Sequence, residues 1–231
     1  MTQVTALPNS PVVVELQRRL AERLADLKGD FSRPFAPPAP AATQPPYDAL
    51  LLPGTLSLAA SPTAVLAAHL PQLRPEGVVL GYVLGEASLP ELRTACAAAG
   101  FAPPPALPAV QDVGSLLQRA RLALPVVDRE FLTLTFPNPA RLLEFLHAHH
   151  ALQRPPGSGL ITPRRWQRVQ AAFPVRADGK IPLTLEVIFF HAVQPSAQTP
   201  QAAARGSGKI SLVKIFSSEE NSTACQNKKS S

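Results

Sequence analysis

Apolar residues near the amino end of the chain recur with the period of a helix. The apolar positions that mark this period are Leu16, Leu20, Leu24 and Leu27. The arginines and acidic residues between them fall on the opposite side, as in a helix with one buried face. This pattern predicts a helix from residue 11 to residue 28, and Gly29 suits its carboxyl-terminal stop.

Helix starts, including that of the first helix, are marked by a capping side chain followed by proline. This pairing occurs at Ser10-Pro11, Ser61-Pro62, Asn138-Pro139 and Thr162-Pro163. The capping oxygen accepts a bond from a free backbone N–H, and proline suits the first helical position because it has no N–H there. We therefore expect a helix to begin at each of these prolines. Ser88 and Glu91 fit a capping box for a helix that ends near Gly100, and residues 114–120 fit one more helix.

Continuous apolar runs mark the expected strands. They lie at residues 47–54, 78–85, 124–136 and 183–193, with "LRPEG" (73–77) predicted as a turn before the second run. Such runs suit a sheet that is covered on both faces. Strands that alternate with helices predict an α/β fold with a mostly parallel sheet and helices on both faces.

A proline-rich bridge, residues 33–46, separates the first helix from the first strand. Its prolines exclude a helix and an inner strand, so we expect an extended, polyproline-like segment. The predicted organisation is a helix and bridge (1–46), an α/β domain (47–194) and a disordered polar tail (195–231).

Composition excludes several classes of protein. Apolar residues make up 45% of the 231 residues, enough for a core, and no apolar run has the roughly 20 residues of a membrane span. The net charge is +6 and half of that excess comes after residue 204, so the sequence shows no phosphate-binding stripe and predicts no nucleic-acid partner. With only Cys96 and Cys225 and no visible secretory signal, we expect a reducing, cytoplasmic location.

Several motifs resemble the second half of class I S-adenosylmethionine-dependent methyltransferases. The matching segments are Tyr47-Asp48, Leu73-Arg74-Pro75-Glu76-Gly77, residues 85–93 (GEASLPELR), residues 112–120 (DVGSLLQRA), residues 178–182 (DGKIP) and residues 206–209 (GSGK). In order and spacing they are similar to the BioC type, a malonyl-acyl-carrier-protein O-methyltransferase, and to its alphaproteobacterial and mitochondrial branch. That branch includes an assembly factor that hydroxylates an arginine of respiratory complex I.

The resemblance implies a family sheet of order 3-2-1-4-5-7-6, of which strands one to three have no counterpart here. The remaining order would be 4-5-7-6, a truncated Rossmann-like sheet. The family's glycine-rich turn and the acidic residue for the cofactor ribose are both absent, and the bridge stands in their place. Three sets of family positions also differ: Ser57-Leu58, residues 148–153 (AHHALQ) and residues 192–196 (AVQPS).

These differences lead to an expectation about function. We expect a methyltransferase-family protein that has lost cofactor binding and acts as a binding or assembly module. The alternative is an active S-adenosylmethionine-dependent methyltransferase whose cofactor site is atypical or completed by a partner. We assign no catalytic residue, no cofactor-binding residue and no metal ligand, and we expect no cofactor.

Other side chains that suit chemistry have a structural interpretation as well. Glu144, His147 and His150 share a helical face and could suit zinc, but we interpret them as a polar face in water because no fourth ligand is evident. Arg164, Arg165 and Arg168 near Trp166 could bind an anion or form a solvated helix face. His69 and His191 are interpreted as structural or exposed, and Asp48 as a turn residue.

One consequence concerns partners. Without a neighbour, the strand at Ala49–Leu52 becomes a sheet edge, and an apolar edge with open N–H and C=O groups invites pairing. We expect this edge either to be covered by residues 11–46 or to pair with a protein partner or a second copy of the chain.

Overall fold

The described residues form a mixed α/β fold with a five-stranded sheet, so the predicted fold class is confirmed. The computed structural model describes residues 10–37, 45–57, 59–148 and 162–196. Its helices are α1 (Pro11–Asp26), α2 (Pro62–His69), α3 (Pro90–Ala98), α4 (Val110–Arg119), α5 (Pro139–Ala148) and α6 (Pro163–Ala171). Its strands are β1 (Pro34–Phe35), β2 (Tyr47–Pro53), β3 (Leu73–Leu84), β4 (Ala123–Phe136) and β5 (Ile181–Val193). Most of the predicted polar tail lies outside the described residues.

The four helix starts predicted from cap and proline are confirmed. The Ser10 hydroxyl accepts from the Val13 N–H, and the Ser61 hydroxyl accepts from the Ala64 N–H. The Asn138 side chain accepts from the N–H of Arg141 in the same way. Each cap satisfies a donor that the first turn leaves without a partner.

The predicted capping box of α3 is wrong. The residue that precedes α3 is Leu89, which has a left-handed backbone (φ 60°) and provides no side-chain cap. Ser88 instead hydrogen bonds to Glu186 of β5, and Glu91 accepts from Thr184. Both capping candidates are therefore taken up by tertiary contacts with β5.

The sheet has the order β1-β2-β3-β5-β4. The pairs β1–β2 and β2–β3 are parallel, whereas β5 runs antiparallel to both β3 and β4. In this sheet β1, β2, β3 and β4 therefore run in one direction and β5 runs against them, an antiparallel strand that continuous apolar runs do not reveal because they indicate burial but not direction.

Three predicted boundaries also differ. The helix α1 ends at Asp26, and α4 begins at Val110 rather than near residue 114. The predicted turn at 73–77 is the beginning of β3, where Leu73 pairs with Tyr47. The Glu76 N–H and the Gly77 carbonyl bond to the backbone of Gln194, which holds this stretch in the sheet.

Two apolar cores lie on opposite faces of the sheet. The first core joins α1, α3, α5 and α6 to one face, with Leu80, Tyr82 and Phe189 at its centre. The second core joins α2 and α4 to the other face through Leu66 and Leu117. Helices therefore cover both faces, as the apolar strands predicted.

The bridge covers part of the edge of β2. Within it, β1 pairs with β2 in the register Pro34–Ala49 and Phe35–Leu50. The Phe35 ring stacks on Tyr47 with centroids 4.8 Å apart. This edge was expected either to be covered by residues 11–46 or to pair with a partner. In the structure, β1 of the same chain covers it at Ala49 and Leu50. The bridge is therefore in part a strand, which the sequence did not predict.

The helix α1 is also tied to the far edge of the sheet. Arg23 bonds to Asp128 on β4 at 3.1 Å, and both Arg19 and Arg23 bond to Glu130. The Arg23 guanidinium lies 4.2 Å from the centroid of the Phe189 ring on the strand between. These contacts fix α1 across one face of the sheet.

Candidate functional site at the carboxyl edge of the sheet

The parallel strands β2 and β3 end side by side, at Pro53 and Leu84. In α/β folds, ligands bind where parallel strands end. A glycine follows each strand: Gly54 has φ 71°, and its N–H donates to the Tyr82 carbonyl at 3.1 Å. This edge is therefore the candidate functional site.

Ser57 lies at this edge, and it is one of the positions at which the sequence differs from the family that it resembles. Its hydroxyl accepts from the Leu84 N–H at 3.3 Å and thereby links the end of β2 to the end of β3. In this role Ser57 shapes the edge. Leu58, its neighbour in the same pair, lies outside the described residues.

A buried carboxylate organises the loop that follows β3. Glu186 is 2% exposed, and its Oε2 accepts from the Ala87 N–H at 2.8 Å. An added Cβ at Gly85 would lie 2.4 Å from the same oxygen, so only glycine leaves room for the carboxylate. The Oε1 atom lies 3.8 Å from a guanidinium nitrogen of Arg129, whose side chain is 61% exposed.

The loop and the first turn of α3 are each bound to β5 as well. The fully buried Ser88 hydroxyl donates to the Glu186 carbonyl and accepts from the Glu186 N–H, both at 3.0 Å. The Glu91 carboxylate accepts from the Thr184 hydroxyl at 2.6 Å and from its N–H at 2.9 Å. Together these bonds give the carboxyl edge a fixed backbone.

Sequence reasoning missed this arrangement, although one signal was present. Glu186 is the one charged residue inside the apolar run 183–193. A charge in a buried strand requires hydrogen-bonding partners. The sequence does not show which partners those are, because Ala87 and Ser88 are about a hundred positions away.

A cavity of about 500 Å³ lies beside β2, between that strand and α1. Its described lining consists of Gln17, Leu20, Ala21, Leu24, Ala25, Leu27, Gly29, Phe31, Ala36, Leu51 and Pro53. Its size is within the range of ligand pockets, which are mostly apolar with a few polar groups. Among these described lining residues Gln17 alone has a polar side chain, so they supply no carboxylate for ribose hydroxyl groups.

Tyr82 lies on β3 under α1, and its ring meets Phe189 edge-on at 5.9 Å. The hydroxyl is buried and has no hydrogen-bond partner among the described residues. Burial raises the pKa of Tyr82 to about 12, because the charged form would lose its hydration. The group therefore stays protonated at neutral pH.

The structure does not bring the other sequence candidates to this edge. Ala192 to Ser196 lie at or beyond the end of β5 that pairs with the start of β3, which is the opposite edge. Glu144 pairs with Arg141, His147 is exposed and His150 is outside the described residues. No group of three possible metal ligands occurs in the described part of the chain.

The interpretation of Asp48 changes, and the structure adds detail on the two single histidines. Asp48 is not a turn residue: it lies in β2, is 9% exposed and pairs with Arg74. His69 meets Phe35 edge-on at 5.7 Å, and burial lowers the pKa of His69. His191 is half-buried on β5, and its pKa is lowered by burial and by the nearby Arg23. Cys96 is buried, and Cys225 is outside the described residues.

No family model matches the chain. A malonyl-[acyl-carrier protein] O-methyltransferase of Laribacter hongkongensis is 37% identical over 143 residues, which cover 60% of this chain and 48% of that protein. The protein of that name from Halorhodospira halophila is 37% identical over 141 residues, 56% of this chain and 45% of its own length.

The chain is similar to malonyl-[acyl-carrier protein] O-methyltransferases.

The resemblance seen in the motifs is thereby confirmed. A mitochondrial arginine-hydroxylase of Danio rerio, NDUFAF5, is also similar, with 26% identity over 154 residues, 62% of this chain and 48% of that protein. The chain spans about half the length of these curated relatives. It contains, in the described residues, no helix with the length and apolarity that crossing a membrane requires.

The solved structures that match the chain include the YcgJ protein of Bacillus subtilis, with a TM-score of 0.41, 8% identity and coverage of 81% of this chain and 80% of that one. Another is a phosphoethanolamine N-methyltransferase of Haemonchus contortus in complex with S-adenosyl-L-methionine. Its TM-score is 0.34 at 11% identity, and the match covers 68% of this chain and 35% of that one.

The expectation that the chain takes no cofactor is corrected by these comparisons. The similar curated proteins are methyltransferases, and methyl transfer requires a methyl donor. The interpretation as a binding or assembly module stays a prediction.

Proposed function

We propose that the chain takes part in S-adenosylmethionine-dependent methyl transfer to a carboxylate of an acyl group that is attached to a protein. The observation that carries this proposal is the 37% identity over 143 residues with a malonyl-[acyl-carrier protein] O-methyltransferase. The carboxyl edge of β2 and β3 supports it, because this edge is where α/β enzymes bind ligands.

We further propose that residues from another polypeptide segment complete the cofactor site. The described residues around the cavity supply an apolar wall at Leu20, Leu51 and Pro53. They supply no carboxylate, and ribose recognition in related α/β sites uses one.

When bound, S-adenosylmethionine supplies an electrophilic methyl group, and the residues of this chain would then serve to shape the site. Ser57 links the two strand ends, and Glu186 holds the loop at Ala87 through a backbone N–H. Fixed backbone of this kind is what an enzyme needs to orient two reactants.

Calorimetry with S-adenosylhomocysteine tests the proposal. The titration is made with the purified chain alone and with the chain co-expressed with the unmatched part of the Laribacter hongkongensis relative, and the intact relative is the positive control. Transfer of radiolabelled methyl from S-adenosylmethionine to a malonylated carrier protein measures activity in the same samples.

Binding that needs the added polypeptide supports a completed site, and binding by the chain alone supports a site within the chain. If neither sample binds the ligand or transfers methyl while the intact relative does both, the proposed function is wrong.

A further inference from the structure

The helix α6 differs from the rest of the described chain in its charge. It carries three arginines, at positions 164, 165 and 168, and no acidic residue. Arg164 and Arg168 are exposed. Residues four apart lie on the same side of a helix with Cβ atoms about 6 Å apart, so these two guanidinium groups present one basic face.

The ion pairs found in the described part of the chain do not involve this basic face. Elsewhere in the described residues, arginines such as Arg19, Arg74 and Arg129 have a carboxylate within 4.0 Å. Among the ion pairs of the described residues, none includes Arg164 or Arg168. The two charges are therefore available to a partner.

The position of Arg164 also disfavours the helix itself. It lies in the first turn of α6, which contains no acidic residue. The amino end of a helix has a partial positive charge, so a cation there destabilises it by about 0.3–1 kcal/mol. An exposed arginine gains no packing in return, and such local departures from helix rules are expected at functional surfaces.

The opposite side of α6 is firmly anchored. Val169 is 1% exposed and Phe173, just beyond the helix, is 5% exposed, and both belong to the first core. Trp166 packs against the same core between the arginines. The basic face is therefore displayed on a rigid support, which lowers the entropy cost of binding.

We propose that the Arg164–Arg168 face of α6 binds an acidic polypeptide surface. Each guanidinium can hold a carboxylate through two parallel N–H bonds, and side chains one helical turn apart on a partner helix have the matching spacing. The proposal rests on the proposed function, in which the acyl substrate is attached to a protein. A polypeptide fits better than a nucleic acid, because the patch is one helix turn long and the sequence has no further phosphate-binding stripe.

Fluorescence anisotropy with a labelled helical peptide tests the proposal on the full-length chain. The probe carries glutamates four positions apart, and a second probe has glutamine in their place. The double variant Arg164→Glu/Arg168→Glu is compared with Arg119→Glu/Arg121→Glu, which reverses two other exposed arginines near the end of α4. We expect the α6 variant to lose at least about tenfold in affinity for the acidic probe, and the control variant to lose less than about twofold.

Thermal unfolding separates loss of binding from loss of fold. Arg164→Glu puts a favourable charge in the first turn and Arg168→Glu puts an unfavourable one in the last turn, so we expect the melting temperature of the α6 variant to stay close to that of the unmodified chain. Equal losses in both variants, equal binding of the glutamine probe, or tighter binding of a DNA duplex than of the acidic peptide would each overturn the proposal.

A calorimetric titration with S-adenosylhomocysteine distinguishes this proposal from the proposed function. The α6 variant should keep the ligand affinity of the unmodified sample, because α6 contributes no residue to the described lining of the cavity. If peptide binding follows the prediction while no sample binds the ligand, the docking face stands and the proposed function fails.

Discussion

The Asp48 carboxylate and the Arg74 guanidinium form an ion pair, with Oδ1 and Nε 2.5 Å apart, that joins the start of β2 to the start of β3. The other oxygen of Asp48 accepts from the Arg33 N–H at 3.0 Å. Arg74 also donates to the Asp30 carbonyl at 3.1 Å. The Asp48 carboxylate therefore links the bridge to β2 and also links β2 to β3.

The variant Asp48→Ala should lower the free energy of unfolding by about 2 kcal/mol, because it leaves a guanidinium and a backbone N–H without their acceptor. Equilibrium unfolding in urea measures this. The matched control is Glu144→Ala, which removes a carboxylate that is 62% exposed and pairs with Arg141, and it should cost less than about 0.5 kcal/mol. Similar small losses in both variants would contradict the structural role of Asp48.

Gly85 and Glu186 should be strongly coupled. The variant Gly85→Ala puts a Cβ 2.4 Å from the buried carboxylate oxygen and 2.8 Å from the Ile188 Cδ1 atom, so we expect a loss of about 2 kcal/mol. A double-mutant cycle with Glu186→Ala should show a coupling of about 1 kcal/mol or more, since the second change removes the obstacle.

The control for Gly85 is a glycine with room for a side chain. At Gly114 in α4, an added Cβ would meet Val127 at an ordinary 3.9 Å. Gly114→Ala should therefore stabilise the protein by about 1 kcal/mol, through the helix propensity of alanine. If Gly85→Ala were also neutral or stabilising, the close approach of the carboxylate would be wrong.

The sequence predicts local features of this fold better than distant ones. Ser10, Ser61 and Asn138 act within one turn of their own helices, so their caps could be read from neighbouring residues. Ser88 also looked like a cap, but Glu186, almost a hundred positions away, binds its hydroxyl. Tertiary hydrogen bonds overrode the local signal there.

The candidate site shows the same limit. Apolar runs located the two strands that end at Pro53 and Leu84, and the comparisons confirmed the family resemblance of the motifs. The sequence patterns did not indicate that Phe35 in the bridge pairs with Leu50, because a two-residue strand has no periodicity to detect. The family motifs also led to a wrong expectation about the cofactor, because that expectation rested on family residues that are absent from this sequence.

Tyr82→Phe should raise the free energy of unfolding or leave it unchanged. The hydroxyl is buried without a hydrogen-bond partner among the described residues, and such a group costs about 1–3 kcal/mol of desolvation. Removing it keeps the ring against Phe189. Urea unfolding of this variant checks the prediction, and a loss of more than about 1 kcal/mol would show that the hydroxyl has a partner.

Stability should fall as the pH decreases from about 7.5 to 5.5, because histidine titrates in this range. Burial lowers the pKa of His69 in the folded chain, and burial together with Arg23 lowers that of His191. The unfolded chain then binds more protons than the folded chain, so the free energy of unfolding rises with pH through this window.

His69 provides the more specific test of this pH dependence. Its Nδ1 is buried without a hydrogen-bond partner among the described residues, so a proton there would have no acceptor. The variant His69→Gln should reduce the difference in unfolding free energy between pH 5.5 and 7.5, whereas His147→Gln, at an exposed position on α5, should leave it as it is. Urea titrations at the two pH values measure both variants. An equal change in the two would assign the pH dependence to groups other than the buried imidazole.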